Sequence, residues 1–167
     1  PVLNPIANRS VHVGYPLSFT AGASDPDLPG QPLTFTLCGT PPSGASIGAG
    51  SGTYNWLPAT NQGPCNYSIS IRVTDNGSAS LSARQTLSIA VLSLPRVSSV
   101  AVSNGTVNIA WPSYPGRRYR VETATTLTNP TWVQVGADVI ASGTTASLNV
   151  LGGTDPQRFY RVLSFDN

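Results

Sequence analysis

Apolar residues recur at every second position along this chain, in short runs closed by Gly, Pro, Asn or Asp, and that pattern is what strands require. Val11, Val13 and Tyr15 alternate with polar neighbours, and Leu17 and Phe19 continue the pattern after Pro16. Leu33, Phe35 and Leu37 alternate with threonines; Tyr67, Ile69, Ile71 and Val73, then Leu87, Ile89 and Val91, complete a first set. A second set occupies 97–102, 107–111, 119–122, 132–135, 146–150 and 159–163. Successive side chains of a strand point to opposite faces, so each run offers one face to a core and one to solvent. No stretch of twelve residues carries a convincing 3.6-residue apolar period, so the expected fold class is all-β.

Two sets of strands imply two small β-sandwiches in tandem, over residues 1–93 and 94–167. The segment 92–96 between them reads as a short linker, because Pro95 has no N–H to give to a ladder. Hydrophobic residues make up 40% of the chain, enough for two cores, although only 10% of residues are charged. All nine basic residues are arginine, and the net charge of +2 is too small and dispersed to imply nucleic acid as a partner. No run of 18 apolar residues exists, so membrane insertion is not expected. The opening at Pro1 reads as an excised or processed chain, and these residues include no signal peptide.

Several spaced motifs carry a family resemblance. Pro5-Ile-Ala-Asn8, Gly14-Tyr-Pro-Leu-Ser-Phe19, Ala23-Ser-Asp-Pro-Asp27, Leu33-Thr-Phe-Thr-Leu37, Pro42-Ser-Gly-Ala45, Gly52-Thr-Tyr-Asn-Trp-Leu-Pro58 and Tyr67-Ser-Ile-Ser-Ile-Arg-Val-Thr-Asp-Asn-Gly77 occur in that order. Together they resemble the cadherin-like, dystroglycan-type immunoglobulin-like domain of large bacterial surface and secreted proteins. The resemblance implies an immunoglobulin-like sandwich and an extracellular setting, secreted or at the cell surface. Val107-Asn-Ile-Ala-Trp111, Pro115-Gly-Arg-Arg-Tyr-Arg-Val121, Leu127-Thr-Asn-Pro-Thr-Trp132 and Arg158-Phe-Tyr-Arg-Val162 resemble a fibronectin type III-like module, though no seventh strand is evident.

Cys38 ends one run and Cys65 begins another, and in an immunoglobulin-like sandwich those would be neighbouring strands of one sheet. Neither lies in a CxxC or Cys/His pattern, which argues against zinc. A Cys38–Cys65 disulfide is expected, worth roughly 3 kcal/mol in the chain-entropy account; two free buried thiols are the alternative.

Enzymatic chemistry finds little support. The single histidine, His12, alternates with Val11 and Val13 and is expected on an outer face, and no serine sits in a nucleophile elbow. Calcium is the cofactor to weigh. Asp25-Pro-Asp27 places two carboxylates on one turn, and in a sandwich the loop after Val73 should bring Asp75 and Asn76 to the same end. Those oxygens suit calcium, and the spacing resembles that of cadherin aspartates. The alternative is that these aspartates cap turns by accepting backbone N–H bonds.

Trp56 and Trp111 read as core residues, Trp56 from its motif and Trp111 from its parity with Val107 and Ile109. Trp132 and Tyr114 are candidates for a sugar-stacking platform, with core or edge packing as the alternative. Arg118 and Arg120 point outward on one strand. If the closing strand pairs with it, Arg158 and Tyr160 would share that face, open to an acidic glycan, a partner domain or plain solvent. The expected function is a non-catalytic extracellular accessory module that spaces or presents neighbouring domains of its parent protein and mediates surface or protein interaction. The alternative is a carbohydrate-binding module of a secreted polysaccharide-degrading enzyme, with polysaccharide as partner and calcium as aid.

Overall fold

A computed structural model of the chain describes residues 1–27 and 30–165. The chain divides into two units, Pro1–Ser93 and Leu94–Asn167, each with its own apolar core.

In the first unit the strands are β1 (Val2–Leu3), β2 (Arg9–His12), β3 (Leu17–Thr20), β4 (Ala23–Ser24), β5 (Thr34–Cys38), β6 (Ser46–Ile47), β7 (Thr53–Trp56), β8 (Cys65–Thr74) and β9 (Ser82–Leu92). One sheet has the order β2-β9-β8-β5 and faces a second, β3-β7-β6, while β1 pairs with β4. All contacts between neighbours are antiparallel except β2 with β9, which run parallel from Arg9–Ile89 to His12–Leu92. The long β8–β9 hairpin supplies half of the buried core: Ile69, Ile71, Val73, Leu87, Ile89 and Val91. From the opposite sheet come Tyr54 and Trp56, with Phe19 stacked on Tyr54 at 4.9 Å and Trp56 edge-on to Tyr67 at 5.0 Å. Trp56 Nε1–H donates to Ser43 O at 3.1 Å, so the buried indole is satisfied. Gly52 has φ +67°, and a Cβ there would collide with Ala21 O and the Phe35 ring, so only glycine fits this close approach.

Two expectations need correction here. His12 is buried, 7% exposed, and its Nδ1 lies 2.8 Å from Ser93 O; Val11 and Val13 beside it are buried too, so both faces of this strand end are covered, which alternation alone does not reveal. The Cys38–Cys65 disulfide is also not formed. Both cysteines are free thiols, Cys65 on the surface. Their strands are indeed neighbours, but Cys38 is opposite Ser70. Cys65 lies five residues farther along β8, roughly 17 Å at about 3.3 Å per residue, far beyond disulfide reach.

The second unit contains β10 (Ser99–Ser103), β11 (Thr106–Pro112), β12 (Arg118–Ala124), β13 (Val133–Gln134), β14 (Val139–Ile140), β15 (Thr145–Leu151) and β16 (Phe159–Phe165). One sheet has the order β10-β11-β15. In the other, β16 lies along one edge of β12, and β13 and β14 share its opposite edge. Asn104 (φ 49°) and Gly105 (φ 73°) make the two-residue turn from β10 to β11, a turn that needs φ > 0 at both positions. Trp111, Ile109, Tyr119 and Val121 are essentially inaccessible and centre the core. Tyr119 Oη accepts the Tyr114 N–H at 2.9 Å, pinning the β11–β12 turn to the start of β12.

Candidate functional site

Two groups of residues carry the polar chemistry of this chain. In the first, the Asp75 side chain turns inward at the end of β8 and is 5% exposed. Its Oδ1 accepts the N–H of Gly77 and of Leu81, both at 3.0 Å, and its Oδ2 accepts from Leu81 at 3.2 Å. The carboxylate thus binds the turn that joins β8 to β9. Asn76 is exposed beside it. Asp25 Oδ1 accepts the Asp27 N–H at 3.0 Å, an Asx-type turn, and its Oδ2 is 3.1 Å from the Pro1 nitrogen. The hydrogen bond from Asp27, and next the adjacent amine, hold the Asp25 carboxyl below its ordinary value.

These residues do not fit the calcium site expected of Asp25, Asp27, Asp75 and Asn76. Both Asp75 oxygens are engaged by backbone donors, whereas calcium needs six to eight oxygens directed at one point. Among the described residues no three His, Cys, Asp or Glu side chains are placed to hold a metal ion. Turn capping accounts for Asp25 and Asp75.

The second group lies on the outer face of β12 and β16. Register places Arg118 opposite Phe165, Arg120 opposite Leu163 and Glu122 opposite Arg161. Arg120 donates through Nε and Nη2 to the two oxygens of Asp138, at 2.9 and 3.1 Å. Arg118 Nε is 3.9 Å from Asp138 Oδ2. The guanidinium groups of Arg118 and Arg120 lie 5.4 and 5.0 Å from the Phe165 ring centroid. Arg161 donates to Glu122 Oε2 at 2.8 Å and sits 4.4 Å over the Trp132 ring. The face is therefore a ladder of arginines, each held between an acid and an aromatic ring.

That arrangement revises the carbohydrate candidates. Trp132 precedes Val133, which is opposite Thr123, whereas Tyr114 precedes the other end of β12 at Arg118. The strand between them spans about 17 Å, so Trp132 and Tyr114 do not form one platform. Tyr160 is opposite Thr123 and packs against the core, not beside Arg118 and Arg120. Arg158 lies before β16 and pairs with Asp155. The outward residues of β16 are Arg161, Leu163 and Phe165, one position out from the assumed parity.

Asp138 and Phe165 escaped the sequence reading. Asp138 lies in the connection from β13 to β14, where no periodic pattern predicts its partner, and Phe165 needed the correct register of β16. Arg120, foremost, and Arg118 lower the Asp138 carboxyl below its usual value of 3.8. The unfolded chain then takes up this proton at a higher pH than the folded one. Asp138 stabilises fully above the ordinary carboxylate range and loses that contribution as the pH falls through its lower folded value. We expect the melting midpoint of the second unit to drop between about pH 5 and pH 2, and to drop less steeply in Asp138→Asn. Thermal melts across that range measure both slopes; equal slopes would contradict the pairing.

Comparison with known proteins adds the family. The N-terminal domains of Down syndrome cell adhesion molecule share 13% identity with this chain. They superpose with a TM-score of 0.50 over 96% of it and 27% of that chain. The protocadherin gamma B4 extracellular domain gives 20% identity and a TM-score of 0.49 over 98% and 34%. Mouse cadherin-23 EC22-24 gives 16% and 0.46 over 97% and 64%. This chain thus spans between about a quarter and two thirds of the length of these structures, and likeness at such identity concerns the fold alone. A search of the curated proteins finds no match. Residues 1–90 match the family model described as Bacterial Ig domain, with all strands from β1 to β8 and most of β9 inside the match: this chain belongs to the bacterial Ig domain family.

Proposed function

We propose that this chain is a non-catalytic extracellular accessory module that spaces or presents neighbouring domains of a larger bacterial protein. One observation supports this reading most: the fold itself uses the polar groups that chemistry would need. Asp75 holds a turn, Asp138 and Glu122 hold arginines, and His12 contacts the Ser93 carbonyl. A catalytic or ligand site normally keeps such groups converging on a cavity. The second sandwich is the fibronectin type III-like part of the module, extending it with a second rigid unit.

Carbohydrate binding draws no support from the separated Trp132 and Tyr114. Thermal unfolding against a panel of soluble polysaccharides tests the proposal. The midpoint should stay constant throughout, because a ligand that binds only the folded state raises it. A rise of several degrees with one glycan, saturating with concentration, would replace the spacer reading with a binding one.

A further inference from the structure

The outer face of the first unit's larger sheet carries two arginines that the fold leaves without an acid. Ile69, Ile71 and Val73 of β8 and Leu87 and Ile89 of β9 point into the core, so the residues between them point outward. Register across β5, β8 and β9 aligns Thr36 with Arg72 and Arg84, and Cys38 with Ser70 and Thr86. Arg72 and Arg84 are thus directly opposite each other on one face, and both are exposed. Like charges so placed oppose the pairing of their strands.

Elsewhere the chain gives its arginines partners: Arg118, Arg120, Arg158 and Arg161 of the second unit each lie beside a carboxylate. The first unit cannot do the same for Arg72 and Arg84. Residues 1–93 hold only Asp25, Asp27 and Asp75 as acids. Asp25 meets the Pro1 nitrogen and Asp75 caps its own turn. No outward position of β5, β8 or β9 is acidic. Arg84 Nη2 donates instead to Ser70 Oγ at 2.9 Å, and that hydroxyl is 2.7 Å from Thr86 Oγ1. The bond brings the Arg84 head over β8, the strand that carries Arg72. Arg72 itself has no hydrogen bond or ion pair among the described residues. Two guanidinium groups therefore share this face with most of their N–H donors unused.

We infer that this face docks an acidic segment of a neighbouring protein domain, with Arg72 and Arg84 each receiving a carboxylate. The planar guanidinium fork matches a carboxylate through two parallel N–H···O bonds. Docking also removes the repulsion between the two arginines, so the acidic partner gains where a neutral one does not. No outward position of β5, β8 or β9 is aromatic, so the face has no ring on which a sugar could stack. A second copy of this chain suits the face poorly, because most of its carboxylates are engaged already. Exposed ion pairs are weak and are screened by salt, so the contact is a reversible one. The inference names the kind of neighbour that the accessory module meets and rests on that reading.

An NMR titration of the full chain at low ionic strength with the peptide Glu-Ser-Glu-Ser-Glu, up to about 5 mM, is the test. Amide signals of Ser70, Arg72, Arg84 and Thr86 should shift and saturate, and the peptide Gln-Ser-Gln-Ser-Gln should leave them in place. Arg72→Gln with Arg84→Gln should weaken binding at least about tenfold, and Arg96→Gln, which removes a charge away from this face, by less than about twofold. Thermal melts supply the second readout. Arg72→Gln should melt no lower than the unsubstituted chain, because it relieves a repulsion; a lower midpoint would show an arginine that serves the fold and would overturn the inference. So would the absence of a saturable shift, equal weakening by Arg96→Gln, or an equal response to sodium sulfate at the same ionic strength. Tighter binding of a sulfated disaccharide at the same two arginines would give the face to an acidic glycan and overturn it as well. The accessory reading fails separately, by a rise in midpoint with a neutral polysaccharide.

Discussion

Trp111→Ala should unfold the second sandwich and leave the first one folded. Trp111 is fully buried at the centre of its core, 5.9 Å from the Tyr119 ring. Truncating a buried tryptophan costs about 3–5 kcal/mol, from lost transfer energy and the cavity left behind. A unit this small buries only about 60% of its unfolded surface, and its whole stability is on the order of 5 kcal/mol. The substitution therefore removes most of it. Because the first unit has a separate core, amide NMR signals of residues 1–93 should persist while those of the second unit collapse. Loss of both sets together would show one cooperative body. Trp111→Phe should cost much less: it keeps most of the ring volume and removes an indole N–H that has no partner among the described residues.

Asp75→Ala should have the next largest effect, a loss of about 2–4 kcal/mol confined to the first unit. The carboxylate is buried and accepts from two backbone amides at the tip of the β8–β9 hairpin. Hydrogen bonds to a charged group contribute about 1.5–3 kcal/mol, and the amides left behind lose their partner inside the protein. The hairpin supplies much of the core, so loosening its turn is felt along both strands. Asp75→Asn retains one acceptor oxygen and should lose about half as much. Equilibrium denaturation in urea reads both values, and the difference between unsubstituted and Asp75→Ala chains should be the same with calcium or with EDTA.

The all-β class was legible because period-2 alternation is a local property, visible at Leu33–Leu37 and Tyr67–Val73 without knowledge of partners. The inward positions of Ile69, Ile71 and Val73 follow from it directly. Relations between strands were not legible. Cys38 and Cys65 do lie on adjacent strands, but their five-residue offset is set by the lengths of β5 and β8, which sequence pattern does not specify. Tyr160 failed for a related reason: the parity assumed for β16 was wrong by one position, and a one-residue change turns every side chain to the other face. His12 shows the limit of alternation itself, since both faces of a strand end can be covered. The short strands β1, β4, β6 and β14 are two residues long, too short for any periodicity to register.

The aspartates were read with two uses open, calcium and turn capping, because a carboxylate serves both. Geometry separates them: a metal needs oxygens that converge, and a cap needs N–H donors that converge on one oxygen pair. Asp75 has the second arrangement. The most direct measurement is the thermal unfolding of the unsubstituted chain, freed of metal, in EDTA and in millimolar calcium. If the charged residues serve the fold, both midpoints coincide. A rise of several degrees with calcium, removed by Asp75→Ala, would contradict that account and give these aspartates to a metal.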